Sequence, residues 1–252
     1  MIKTLFISVL LIISSANYFN SKPVISTSDS NSLIKYAEKF DGFLQDFYHQ
    51  ISCNQELSYY AFEYAMTGYY NMKCLGLLQR DNIITIIDYN LSSNSKRLYV
   101  IDLIDKKIIL NSLVAHGRNS GDEMAVKFSN KGGSQMSSIG FFITGETYDG
   151  RHEYSLKIDG MESCNSNVRS RGVVFHGADY VDEAYTIHSG RIGRSNGCPA
   201  LPQNMNRKIV DTIKNGSCVF IFYNDPKYMN NSKFLDFQNA VLQFASEKEE
   251  LI

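Results

Sequence analysis

The chain has 252 residues with 25 Lys and Arg against 26 Asp and Glu, a formal charge of −1, which excludes the broadly basic surface that nucleic-acid binding requires. At 44% hydrophobic and 20% charged residues the composition is that of a folded globular protein rather than a disordered one, and the length fits one large domain or two modest ones at about 150 residues each. No self-similarity at a fixed period is visible, which excludes a solenoid, and five cysteines leave at least one thiol without an intramolecular partner.

Lys3 precedes a nine-residue apolar run, 5–13, which is followed by Ser14, Ser15 and Ala16. A basic start, a short apolar run and small residues form a secretory signal, so residues 1–16 are read as a signal peptide and the protein as exported. The run is shorter than the roughly 20 residues of a membrane span, so no stable span is expected after cleavage. In an oxidising compartment Cys53, Cys74, Cys164 and Cys218 suffice for up to two disulfides, and Cys53 with Cys74 would close a hairpin. Residues 17–31 are polar, rich in Ser and Asn, and read as a linker. From there apolar residues fall at 33, 37, 40, 44, 47 and 51, one face of a helix with Ser30 or Ser32 as cap. A second helix follows with Leu57, Tyr60, Ala61, Tyr64, Ala65, Gly68 and Tyr69 inward. Linker and helical hairpin together fill residues 17–80, and the hairpin must bury its faces against a larger body.

After Arg80 the pattern changes to short β-branched runs at 83–88, 98–104 and 107–115, bounded by turn residues, which read as antiparallel strands. Further strands are expected at 140–144, 154–158, 172–176 and 218–223. A helix over 204–215 has Met205, Ile209 and Ile213 on one face and ends at Gly216. A last helix, 234–244 after Ser232, leads into an acidic tail, so residues 226–252 form a C-terminal helix and tail. The expected fold is mainly β with flanking helices (α+β), its core at 81–225, without the strand–helix alternation of a doubly wound sheet.

Chemistry concentrates in residues 171–202. Cys198 lies in Ser195-Asn196-Gly197-Cys198-Pro199, a segment that cannot run as continuous helix or strand, so the thiol is presented by a turn. Glycine permits a tight backbone and exposes amides able to hold an oxyanion. A thiol nucleophile needs a base, because at an ordinary pKa near 8.5 only a few per cent is thiolate at neutral pH. His176, at the end of an apolar strand, is the candidate, oriented through its second nitrogen by a main-chain carbonyl such as that of Gly177 or by the Asp179 carboxylate. His116-Gly117 is the rival base. His188 reads as a loop residue, His49 and His152 as surface residues, Asp182 and Glu183 as a solvated turn, and Cys218 as core. A metal site from His176, Asp179, His188 and Cys198 would have spacings of three, nine and ten, which match no closed zinc pattern, so neither metal nor cofactor is expected.

The order His176-Gly177, then Ser195-x-Gly197-Cys198, resembles the active-site pattern of L,D-transpeptidases of the YkuD type. Ser138-Ile139-Gly140-Phe141-Phe142-Ile143 is similar to that family's Thr-Pro-x-Gly-x-Phe-x-Ile strand, and Val114-Ala115-His116-Gly117 to an earlier strand ending in Gly. The string HGADYV…GRIGRSNGCPALP, with TGETYDG before it, is most similar to the murein L,D-transpeptidase catalytic domain subgroup, over about residues 80–225. The resemblance implies a β-sandwich-like catalytic domain acting on peptidoglycan stem peptides in the periplasm or cell envelope. The thiolate would attack an L-centre to D-centre bond, release D-alanine and pass the acyl group to an amine. Cys198 would be nucleophile, His176 base and the Gly177 carbonyl its orienter, with Ser195, Asn196 and Gly197 lining the substrate. Asn196 stands where the commoner pattern has His, and Ala200 where it has Arg or Asn. Arg191 and Arg194 are therefore assigned to a substrate carboxylate, which guanidinium pairs bidentately. The competing expectations are an L,D-carboxypeptidase or amide hydrolase using the same thiol, and a non-catalytic wall-binding module.

Overall fold

In this computed structural model residues 30–52 and 56–249 are described. The signal peptide, residues 17–29 of the linker and the Cys53 partner of the expected hairpin disulfide lie outside them. Two helices open the described chain, α1 (Ser30–Ile51) and α2 (Tyr59–Cys74). Phe40, Leu44, Phe47 and Ile51 are buried along α1, as the spacing predicts. Ser58 caps α2 by accepting from the Ala61 amide at 3.1 Å, which satisfies one orphan N–H of the first turn. The inward face of α2 differs from expectation. Phe62, Met66 and Met72 are buried while Tyr60 is 66% exposed. The helix is covered by β-sheet on one side and by helices on another, so more than one stripe is apolar.

The strands are β1 (Arg80–Asp88), β2 (Leu98–Asp102), β3 (Lys107–Ser112), β4 (Gly140–Gly150), β5 (Glu153–Gly160) and β6 (Val174–Ala178). After them come α3 (Glu183–Ser189), β7 (Ala200–Pro202), α4 (Gln203–Ile213), β8 (Ser217–Phe222), α5 (Pro226–Met229) and α6 (Phe237–Glu249). The eight strands form one sheet in the order β3-β2-β1-β8-β4-β5-β6-β7. Pairing is antiparallel except at β1–β8 and β6–β7, which are parallel. Beyond β3 the Ala115 amide donates to Ala200 O at 2.9 Å, so the two ends of the sheet meet and the structure is a mainly β body with flanking helices. Phe244 of α6 packs its ring 5.1 Å from Phe40 and 5.9 Å from Tyr70. Asn71 fixes the approach to that helix by donating to Phe234 O and Asp236 O, both at 2.8 Å.

Four differences from the sequence reading bear on the site. Pairing with β7 carries β6 through Gly177 and Ala178, so His176 lies inside its strand rather than at its end. β7 itself, three residues that follow Pro199 and end in Pro202, has no periodicity to read. Asp182 and Glu183 are not a bare turn, since the Asp182 side chain caps α3 by accepting from the Ala184 amide at 2.7 Å. The β4–β5 hairpin is longer than expected, bulged between Thr144 and Thr147. Among the described residues no helix is long and apolar enough to cross a membrane.

Candidate active site

The turn that carries Cys198 is built by Ser195 and Gly197. Ser195 is tied to the segment after β3: its amide donates to His116 O at 2.9 Å, and its carbonyl accepts from the Arg118 amide at 2.8 Å. Its hydroxyl donates to Cys198 O at 2.6 Å and accepts from the Gly197 amide at 3.0 Å. Ser195 is only 5% exposed, so this side chain staples the turn from within. Gly197 has φ of 123°, and a Cβ there would lie 2.8 Å from Met136 O, so only glycine closes the turn without displacing the 129–138 segment. Asn196 is exposed at the apex.

Cys198 is half-buried. Its sulfur accepts from the Val174 amide at 3.5 Å and lies 3.8 Å from Gly172 O. Burial pushes the thiol pKa up, opposed by the Val174 N–H and by the Arg171 guanidinium. His176 is 3% exposed and pairs in register with Ala200, two residues beyond Cys198. Its Nδ1 lies 2.8 Å from Gly177 O. A carbonyl only accepts, so Nδ1 carries the proton and Nε2 keeps its lone pair. Burial lowers the pKa of this imidazole, the Gly177 carbonyl opposes that, and His152 adds to it. Asp179, the other candidate orienter, is exposed.

His116 is differently placed. It is fully buried, and its Nδ1 is 2.8 Å from Arg97 Nη2. Guanidinium only donates, so this imidazole is held as an acceptor. Burial first and the Arg97 charge second push its pKa down to about 4. Arg97 is itself fully buried and donates to Val114 O at 3.0 and 3.2 Å and to Leu91 O at 2.9 Å. The pair lies beneath the backbone whose His116 carbonyl accepts from the Ser195 amide, so this His supports the turn. His188 is exposed near the end of α3.

Arg191 and Arg194 converge on one exposed carboxylate, with Arg191 Nε 2.7 Å and Arg194 Nη1 3.2 Å from Asp122 Oδ1. Arg194 also donates to Gly121 O at 2.8 Å. Nothing in the sequence pointed to Arg171, whose Nη2 would lie 3.4 Å from a Cβ at Gly197. Its guanidinium donates to Ser129 O, Ser138 Oγ and Met136 O, each at 2.6 Å, fixing the segment against which Gly197 packs. Among the described residues Cys74, Cys164, Cys198 and Cys218 are all free thiols, and no cluster of three His, Cys, Asp or Glu is arranged to hold a metal ion. Cys218 is buried in the core. A cavity of about 730 Å³ lies beside Ile139, Cys164 and Tyr228, and neither Cys198 nor His176 lines it.

The family described as "L,D-transpeptidase catalytic domain" matches residues 53–222. No curated protein matches the chain. Among solved structures it is similar to an L,D-transpeptidase from Mycobacterium smegmatis, at 11% identity and a TM-score of 0.36 over 56% of this chain and 59% of that one. A mutant L,D-transpeptidase of Enterococcus faecium gives 15% identity and 0.37 over 56% and 50%. The helical cell shape determining protein Pgp2 from Campylobacter jejuni gives 13% and 0.39 over 74% and 64%. The chain thus spans less than two thirds of each of these structures. On the sequence match, which covers more than half of its length, the chain belongs to the L,D-transpeptidase catalytic-domain family.

Proposed function

We propose that this is an exported cysteine L,D-transpeptidase acting on peptidoglycan stem peptides, with Cys198 as nucleophile, His176 as base and the Gly177 carbonyl as its orienter. The observation that carries this reading is the 2.8 Å contact of His176 Nδ1 with Gly177 O, on a strand paired to the segment that follows Cys198. It leaves Nε2 as the proton acceptor. With the thiol raised and the imidazole lowered, the resting pair is neutral at neutral pH. The proton moves only as sulfur attacks.

In the first half-reaction the S–H proton passes to Nε2 and sulfur bonds the carbonyl carbon of the L-centre to D-centre bond. The C–N bond breaks, and the imidazolium returns the proton to the leaving amine of D-alanine. An amine from a second stem then attacks the thioester carbon, Nε2 takes the amine proton, the C–S bond breaks, and the imidazolium returns that proton to sulfur to restore the thiol. The Gly197 amide is already used on Ser195 Oγ, so the oxyanion falls to the Cys198 amide. Arg191 and Arg194 take a substrate carboxylate in exchange for Asp122, and Asn196 meets the substrate from the apex. Residues 1–16 are removed on export, and residues 81–225 carry the reaction.

The test is incubation with tetrapeptide muropeptides followed by mass analysis of products. Cross-linked dimers are expected, absent with Cys198→Ala and reduced by about 10³-fold or more with His176→Ala. Tripeptide monomers would make water the acceptor, and no product with the wild type, together with no covalent carbapenem adduct, would reject the enzyme in favour of a wall-binding module.

A further inference from the structure

His152 is exposed at the tip of the β4–β5 hairpin, yet its ring lies against His176, with centroids 4.3 Å apart and planes 23° from parallel. The hairpin is shaped to put it there. Gly150 pairs with Glu153, so Arg151 and His152 form the whole turn. Glu153 takes φ of 57°, a left-handed conformation uncommon for a residue with a Cβ. Three bonds tie the tip to α4: Gln203 Nε2 donates to Glu153 Oε2 at 3.0 Å, Asn206 Nδ2 to Tyr154 O at 2.7 Å, and the Tyr154 hydroxyl to Asp211 Oδ1 at 2.6 Å. Gln203 and Asn206 also pack on Gly177, where a Cβ would meet them at 2.2 and 3.2 Å. The same two side chains therefore set the position of the hairpin tip and of the carbonyl that orients His176.

We propose that His152 is a positioning residue for His176: its ring covers one face of the base, keeps water from that face and fixes the plane in which Nε2 meets the Cys198 thiol. This rests on His176 being the base. The elements packed on β6 are β5, β7 and α4. β5 carries Glu153, Tyr154, Lys157 and Asp159, α4 carries Arg207, Lys208 and Asp211, and the adjoining turns carry Arg151, Asp179 and Cys198, but His152 is the one that acts on the His176 imidazole through charge. Cover and charge work in one direction. A buried face disfavours imidazolium, and a protonated neighbour repels a second positive charge, so both keep His176 neutral to lower pH.

The full chain with 13C-labelled histidine is titrated by NMR as wild type, His152→Ala and His152→Phe, with His176→Gln to identify the resonance. The His176 midpoint is expected to rise by about half a pH unit or more in His152→Ala, and by less in His152→Phe, which keeps the cover and loses the charge. In the muropeptide assay His152→Ala is expected to lower kcat about tenfold with KM unchanged, and His152→Phe to restore part of it. An unchanged midpoint in both variants overturns the proposal, whatever the turnover. A shifted midpoint in a protein that makes no product leaves the ring pairing standing and overturns the transpeptidase reading instead. The hairpin tip is exposed, and thermal melts establish that the variants are folded.

Discussion

Gly197 and the buried His116–Arg97 pair support the Cys198 turn. Replacing Gly197 by Ala asks a residue with a Cβ to hold φ of 123° while pressing on Met136 O. This should cost about 1–3 kcal/mol in chemical denaturation and disturb Cys198 more than the rest of the molecule, so activity falls further than stability does. The His116–Arg97 pair makes a prediction with a definite sign. Folded His116 titrates at about 4, below the ordinary value near 6.5, so between those pH values the unfolded chain binds the extra proton. Stability from this group is complete above about pH 6.5, declines as pH falls towards 4, and amounts to about 3 kcal/mol. Denaturation midpoints measured from pH 7 to pH 4 should show that slope, and His116→Asn, which keeps an acceptor for Arg97 and cannot titrate, should flatten it. Arg97→Met should destabilise by about 3 kcal/mol or more, since Val114 O, Leu91 O and His116 Nδ1 lose their donor in the interior.

Elements were legible to the degree that their own residues determine them. The α1 stripe of Phe40, Leu44, Phe47 and Ile51 follows from helical geometry alone, and the presentation of Cys198 by a turn follows from the glycine and proline on either side of it. His152 and Arg171 escaped because their partners are set by sheet register and loop packing across the chain. A lone His in a polar hairpin and an Arg before a strand carry no local signal. Arg97 inverts the expectation that arginine lies outside, and only three inward-facing acceptors explain it. Tyr60 was misplaced because Tyr is amphipathic and α2 is covered on more than one side. The C-terminal helix makes an element-level prediction: Phe244→Ala removes a ring wedged between α1 and α2 and should cost about 3–5 kcal/mol. Asn71→Ala should cost about 1–3 kcal/mol by leaving Phe234 O and Asp236 O without their donor. Both losses are read from urea unfolding, and neither should alter the ratio of products in the muropeptide assay.

At the scale of the whole molecule, the site depends on parts of the chain that are remote in sequence. Cys198 stands on a turn bonded to His116, beside a strand near residue 176, and against a segment near residue 136 that Arg171 secures. A shortened chain ending at residue 214 lacks β8, which lies between β1 and β4. It should show no cooperative thermal transition, whereas the full chain shows one.

The central pairing of β1 with β8 joins Ile84 to Cys218, and this order of strands has a temporal consequence. A chain emerging from its N-terminus can form the helical hairpin and the β1–β3 meander early, but β1 keeps a bare edge until the eighth strand has been made. Contacts of that sequence separation fold slowly. The polypeptide therefore stays open for most of its synthesis, and its core closes only when the last strand is added.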